Sequence, residues 1–429
     1  MTTLLCGGRV IDPSCGLDKQ CAVVIEDGRI AAVDADITTV KADQTIDASG
    51  LVVAPGLVDL HTHMREPGFE EKETIATGTA AAARGGVTSI LAMANTAPVG
   101  DTPERIRALY DRARSDAQVH FYTAGAVSEG LQGRQITDVE ALLDAGAAAL
   151  SDDGVPLMNA QIMREALLRL KPYDLPVLSH SEDGDLVRGG VMNDGALSRK
   201  LSYQGRPAVA EELLLVRDAM LAEDTGGYVH ICHVSTRGAV AWIREMKARG
   251  VHITAETCPQ YFLLTEDEVE RQGAMAKVNP PLRRPEDVQA VIEGLKDGTL
   301  DCIVTDHAPH TAAEKSRPFP ECPSGMVGLE TSLALSLTVL HHQLGLPLSF
   351  VIDKMSTAPA KLLHLPAGTL QPGAPADLVL FDPSETWTVD PERFASKGRN
   401  TPFAGRTVTG RVHRTIVAGK TVYDANQEP

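Results

Sequence analysis

Nowhere in this chain of 429 residues is there a run of lysine and arginine, and acidic side chains outnumber basic ones 57 to 40, for a formal charge of −17. A protein of that sign repels phosphate backbones and anionic headgroups, so nucleic acid and membrane surfaces are excluded as first partners. No apolar stretch approaches the ~20 residues that span a bilayer. The segment Met1-Thr2-Thr3-Leu4-Leu5-Cys6 carries neither the basic nor the apolar part of an export signal. The seven cysteines are odd in number, scattered and never spaced C-x-x-C, which speaks against a disulfide framework and a thiolate zinc site. These absences lead to the expectation of a cytoplasmic protein acting on a small molecule. With 43% hydrophobic and 23% charged residues, the chain can bury a sizeable core.

Both ends read as short strands and turns. Val10 to Pro13 and Ala22 to Gly28 are strand-like, the latter closing on the hairpin signal Asp27-Gly28. From about Gly368 the same texture returns in Ala376–Phe381, Thr407–Val412 and Thr415–Lys420. Between these ends, apolar runs alternate with helix-period segments. Strand candidates end near His63, Asn95, Ser128, Asp153, Ser181, Ser235, Glu256 and Asp306. Helical stretches follow at Glu73–Arg84, Pro103–Arg114, Asp138–Ala145, Asn159–Leu170, Ala208–Glu223, Arg237–Arg249 and Leu329–Leu344. Eight such units predict an α/β fold, a closed (β/α)₈ barrel. The seventh is the weak one, broken by Pro259, Pro280 and Pro281. The expected division is a barrel over 55–365 and a small β-sandwich assembled from 1–54 and 366–429.

Such barrels carry their chemistry at the carboxyl ends of the strands. There His61-Thr62-His63 puts two imidazoles on one face of a strand. Later strand ends add Asp152-Asp153, His180, His233 and Asp306. Four histidines and two carboxylates at one mouth offer the donors that Zn²⁺ takes, and a bridging carboxylate would hold two ions. Strand parity turns His230 and His307 to the opposite face and cannot choose between Asp152 and Asp153. His120, His230, His252, His341, His342, His364 and His413 are assigned to core or surface.

The stretches His61–Gly68, Ala92–Thr96, Ser151–Pro156, Asn279–Arg283 and Thr305–His310 together resemble the amidohydrolase superfamily and, within it, the class I dihydroorotases. The likeness runs over essentially the whole chain, including the return to the flanking sheet at Gly368–Gly373. It implies two Zn²⁺ per subunit, one held by His61, His63 and Asp306, the other by His180 and His233, with Asp153 bridging. It further implies reversible interconversion of N-carbamoyl-L-aspartate and (S)-dihydroorotate in de novo pyrimidine biosynthesis. A hydroxide bridging the ions would be the nucleophile and Asp306 the general acid/base. Arg65, Asn95 and His310 occupy the positions that bind the substrate's carboxylate, and Asn279 and the Gly325 backbone those that hold the ring's amide edge. Ser324 stands where the family usually has an aromatic residue. The segment 311–325 is expected to be a long active-site loop that orders on binding.

Two other readings remain at this stage. A sister cyclic amidohydrolase, an allantoinase or hydantoinase, would share most of the ligands, and Glu256–Phe262 resembles the allantoinase segment. A non-catalytic scaffold for aspartate carbamoyltransferase would lose ligands, whereas all six are present. A homodimer and a complex with that transferase are the partners left open.

Overall fold

In the central runs, alternate residues part company. Leu57, Ile90, Phe121, Leu150, Val177 and Val229 pack outward against helices, while Val58, Leu60, Leu91, Ala124, Ala149 and Leu178 fill an interior. Burial on both faces is what makes these strands read as continuous apolar runs. The computed structural model, which describes residues 1–427, arranges them in one eight-stranded parallel sheet whose spatial order follows the chain. The strands are Leu57–Thr62, Val87–Ala92, His120–Gly125, Ala149–Ser151, Pro176–Ser179, Tyr228–Ile231, Ile253–Thr257 and Cys302–Ile303. Thr62 bridges to His307, and the His63 amide donates to the His307 carbonyl at 2.9 Å, so the sheet closes into the expected (β/α)₈ barrel.

Six helices lie close to their expected spans: Ile75–Arg84, Pro103–Asp116, Val139–Asp144, Ala160–Leu170, Val209–Thr225 and Arg237–Ala248. The seventh unit differs from expectation. Pro259 does not break a helix but begins one, Pro259–Leu263, where a missing N–H costs nothing, whereas Pro280 and Pro281 do lie outside any helix, before Pro285–Lys296. The last barrel helix starts as Ser332–Ser336 and continues in π geometry through Leu337–Gln343. An unexpected pair of two-residue strands, Met192–Asn193 and Gly205–Arg206, follows the fifth barrel strand.

The chain ends form the flanking β-sandwich. Thr2–Cys6, Val23–Glu26, Arg29–Val33 and Gln44–Asp47 make a four-stranded sheet. Arg9–Asp12, Leu17–Gln20, Val52–Pro55, Leu378–Thr388, Thr407–Val417 and Lys420–Asp424 make a six-stranded one. Leu5, Val23, Ile25, Val53, Leu378 and Ile416 are the apolar layer they share. The Asp27-Gly28 hairpin turns as expected, both residues at positive φ (48° and 79°). Thr407–Val412 and Thr415–Lys420, expected as separate strands, run as one strand to Val417, and the turn comes at Ala418-Gly419.

Candidate metal centre

Each residue expected as a ligand sits at the carboxyl mouth of the barrel, and the backbone there is bent to aim it. His233 (φ 38°) and Asp306 (φ 49°) lie just past their strands in the left-handed region, a strained conformation that packed surroundings must impose. Asp59 stitches the first and eighth units below them, its Oδ1 accepting from the His61 amide at 3.1 Å and the Thr305 amide at 3.2 Å. Burial pushes that carboxyl up to about 7.

Two triads face one another. His61, His63 and Asp306 form one, and Asp153, His180 and His233 the other, all buried. Asp153 serves both. Its Oδ2 lies 3.3 Å from His61 Nε2 and 3.5 Å from His63 Nε2, and its Oδ1 lies 3.2 Å from His180 Nδ1 and 3.4 Å from His233 Nε2. Asp152 is turned away, accepting from the Val127 and Ser128 amides at 2.8 and 3.0 Å and from the Ser128 hydroxyl. Of the two aspartates between which parity could not choose, Asp153 is the one that lies among the histidines.

The donor set fits a cation. With Nδ1 2.6 Å from Glu256 Oε1, His61 turns Nε2, buried and without a hydrogen-bond partner, toward carboxylate oxygens. His63 repeats the pattern, with Nδ1 on Asn95 Oδ1 at 3.1 Å and Nε2 toward Asp306 Oδ1 at 3.1 Å. His180 Nδ1 and His233 Nε2 converge to 2.8 Å. Lone pairs facing carboxylates repel unless positive charge lies between them. The electrostatics agree. Burial alone would depress the His61 imidazole, yet Asp153 and Glu256 raise it well above its ordinary value. Burial would raise the Asp153 carboxyl, but His61, His180 and His233 hold it well below. His180, against the same desolvation, is pushed up to about 10 by Asp153 and Glu182.

His230 corrects the parity argument. It points into the barrel, not away, with Nε2 3.1 Å from Glu256 Oε2 and Nδ1 2.8 Å from Thr254 Oγ1, and so underlies the ligand layer. The argument failed because His233 lies beyond the strand's end, in a non-extended conformation. His307 does turn from the centre, toward Glu73 Oε2 at 3.3 Å.

A cavity of about 270 Å³ opens over the triads, lined by His63, Arg65, Asn95, Asn279, His310 and Gly325 among others. Arg65 donates through Nε to the Pro309 carbonyl at 3.3 Å, its guanidinium 3.5 Å from His310 Nε2. Burial and Arg65 push the His310 imidazole down to about 3, so the ring is neutral, held between Glu314 Oε2, 3.2 Å from Nδ1, and the Ser324 carbonyl, 2.9 Å from Nε2. The latter contact is to backbone and does not depend on the Ser324 side chain. Asn279 is held by Arg206 at Oδ1 and by Glu182 Oε2, 3.0 Å from Nδ2. Gly325 takes a different part from the one expected. Its N–H goes to the Lys277 carbonyl at 2.9 Å and its carbonyl accepts from Asn400 and Lys315, both at 3.0 Å, so its backbone groups are already paired. What it supplies is space: at φ 133°, a Cβ would stand 2.8 Å from that of Ala308.

Sequence reasoning missed Glu256, Glu182, Arg206 and Asn400. Only Glu256 left a trace, a carboxylate in the otherwise unremarkable strand Ile253–Thr257.

A dihydro-orotase-like family model matches residues 50–239, and an amidohydrolase family model matches residues 243–423. The chain is 49% identical to a dihydroorotase of Syntrophus aciditrophicus, covering 99% of both chains. It is 50% identical to one of Pelotomaculum thermopropionicum, covering 98% of both. Among solved structures, the dihydropyrimidinase of Brevibacillus agri superposes with a TM-score of 0.88 at 27% identity, over 100% of this chain and 96% of that one. The L-hydantoinase of Arthrobacter aurescens gives 0.89 at 27%, over 98% and 96%. The fold is thus shared with a dihydropyrimidinase and a hydantoinase, and the nearer likeness in sequence decides among them: the chain belongs to the dihydroorotase family of the amidohydrolases.

Proposed function

We propose that the protein is a dihydroorotase of the class I type, interconverting N-carbamoyl-L-aspartate and (S)-dihydroorotate in de novo pyrimidine biosynthesis. The observation that carries this is the pair of triads sharing Asp153 beneath a cavity walled by Arg65, Asn95 and His310. Two Zn²⁺ held by His61, His63 and Asp306 on one side and His180 and His233 on the other, with Asp153 between, would acidify a water and polarise the scissile carbonyl.

The chain's own residues do the rest. Glu256 and Asn95 hold the Nδ1 protons of His61 and His63, fixing which nitrogen faces the centre. Asp306 takes the attacking water's proton and hands it to the leaving ring nitrogen, and in ring closure the order reverses. Arg65 pairs with the substrate's carboxylate, a charge-assisted and planar recognition, with His310 and Asn95 beside it. Asn279 presents its amide to the ring, and Gly325 leaves room for it. The walls are buried, so the charges act in a low dielectric.

The same reading places the division between the barrel, 55–365, and the β-sandwich, 1–54 with 366–429, and the protein in the cytoplasm. Among the described residues no helix is long and apolar enough to cross a membrane. A homodimer and a complex with aspartate carbamoyltransferase are its proposed assemblies. Because the structural neighbours include a hydantoinase and a dihydropyrimidinase, the test is a rate comparison on dihydroorotate, hydantoin and allantoin. Dihydroorotate should be preferred by about 100-fold or more, since only it carries the carboxylate that Arg65 pairs with. Equal rates on hydantoin would overturn the assignment.

A further inference from the structure

The two flanks of the substrate wall, Ala308 to His310 and Ser324 to Gly325, are separated by a loop yet lie side by side. Their alignment is set from elsewhere. Asn400 belongs to the segment joining Leu378–Thr388 to Thr407–Val417 in the six-stranded sheet, and it reaches the barrel mouth with its side chain buried. Its Oδ1 accepts the His310 N–H at 3.0 Å, and its Nδ2 donates to the Ala308 and Gly325 carbonyls, both at 3.0 Å. One acceptor and two donors in one plane are the whole hydrogen-bonding capacity a carboxamide usually spends. Its backbone carbonyl takes the Val327 N–H at 2.9 Å. Lys315, buried in the loop, adds a second donor to the Gly325 carbonyl at 3.0 Å and holds that of Pro323 at 3.1 Å. Neither Asn400 nor Lys315 lines the cavity.

We propose that Asn400, assisted by Lys315, is a positioning residue for substrate. It locks the His310 and Gly325 flanks in register, so that a segment of the β-sandwich builds the wall that recognises the substrate's carboxylate. The inference rests on the preceding reading, in which Arg65 and His310 make that contact. Arg65 is anchored to the same flank through the Pro309 carbonyl, so loss of register displaces both recognising groups while the two triads stay in place.

The experiment is steady-state kinetics on dihydroorotate with the zinc-loaded enzyme, together with zinc content and thermal midpoint. Asn400→Asp keeps the acceptor and removes both donors. It should raise KM about tenfold or more, with kcat within about threefold and zinc per chain unchanged. Lys315→Met, which tests the same carbonyl should Asn400→Asp not fold, should raise KM about threefold to tenfold, and Lys315→Arg should restore most of it. A parental KM in both Asn400→Asp and Lys315→Met, or loss of kcat and zinc without a change in KM, would overturn the inference. Arg65→Met separates the two levels. If it too leaves KM unchanged, the reading of the pocket fails; if it alone raises KM, only the role of Asn400 and Lys315 falls.

Discussion

Asp153 can serve two cations because its oxygens face different triads, whereas Asp152, one residue earlier, spends its carboxylate on the Val127 and Ser128 amides. Adjacent residues of one type thus have unrelated work, set by which way a strand end turns. The same logic separates Asp306 from Arg65. Asp306→Asn keeps the shape but gives up the proton carrier, and kcat should fall by about 10²–10⁴ in a zinc-loaded sample. Arg65→Met leaves the triads intact and should raise KM for dihydroorotate by about tenfold to hundredfold with a smaller effect on kcat. Steady-state kinetics in the hydrolytic direction check both, and an Asp306→Asn enzyme of parental kcat would remove that residue from proton transfer.

At the scale of elements, the segment 311–325 is better described as a pinned wall than as an unstructured loop. It contains the short helix Ala312–Lys315, and Lys277 Nζ is caged by the carbonyls of Phe319, Pro320 and Cys322 at 2.7, 3.1 and 2.7 Å. Lys277→Met would leave the buried Cys322 carbonyl unpaired and the Phe319 carbonyl with only the Cys322 thiol, and should lower the unfolding free energy in urea by about 1–3 kcal/mol. An unchanged denaturation midpoint would mean the cage is not structural. Lys277 also shows where sequence reading stops. The barrel was legible because its strands are apolar on both faces and alternate with helix-period segments, and the buried cluster of four histidines and two aspartates because polar residues at strand ends stand out against that background. Parity misplaced His230 because it assumes extended backbone up to His233, whose φ is 38°. Pro259 was misread because a proline looks the same whether it breaks a helix or opens one. The partners of the Gly325 carbonyl lie 10 and 75 residues away, in Lys315 and Asn400, and no local pattern marks contacts of that kind.

For the molecule as a whole, pH should act on stability and on equilibrium separately. Glu330, buried behind the mouth, accepts from the Ala395 and Ser396 amides, and burial pushes its carboxyl up to about 7. A folded-state pKa above the unfolded one means the native state holds more protons between about 4.5 and 7, so this group's contribution falls as pH rises through that window. Glu330→Gln turns an NH₂ toward one of those amides and so has a fixed cost of its own, but the parent's stability relative to the variant should fall as pH rises from 4.5 to 7, by up to about 3 kcal/mol, in thermal or urea denaturation. A pH-independent difference would contradict the assignment. The reaction has its own dependence. Closing N-carbamoyl-L-aspartate to dihydroorotate consumes a proton, so the product ratio at equilibrium should shift tenfold toward the ring for each unit of acidification, as chromatography of equilibrated mixtures would show.

The central claim is that one carboxylate, Asp153, joins two metal sites. Elemental analysis of zinc per chain in the parent and in Asp153→Ala, with Asp152→Ala as the comparison, tests it most directly. The account predicts about two zinc per chain in the parent, below about one in Asp153→Ala, and near-parental content in whatever Asp152→Ala protein folds, its loss being confined to stability. Parental zinc in Asp153→Ala, or a site emptied by Asp152→Ala instead, would contradict it.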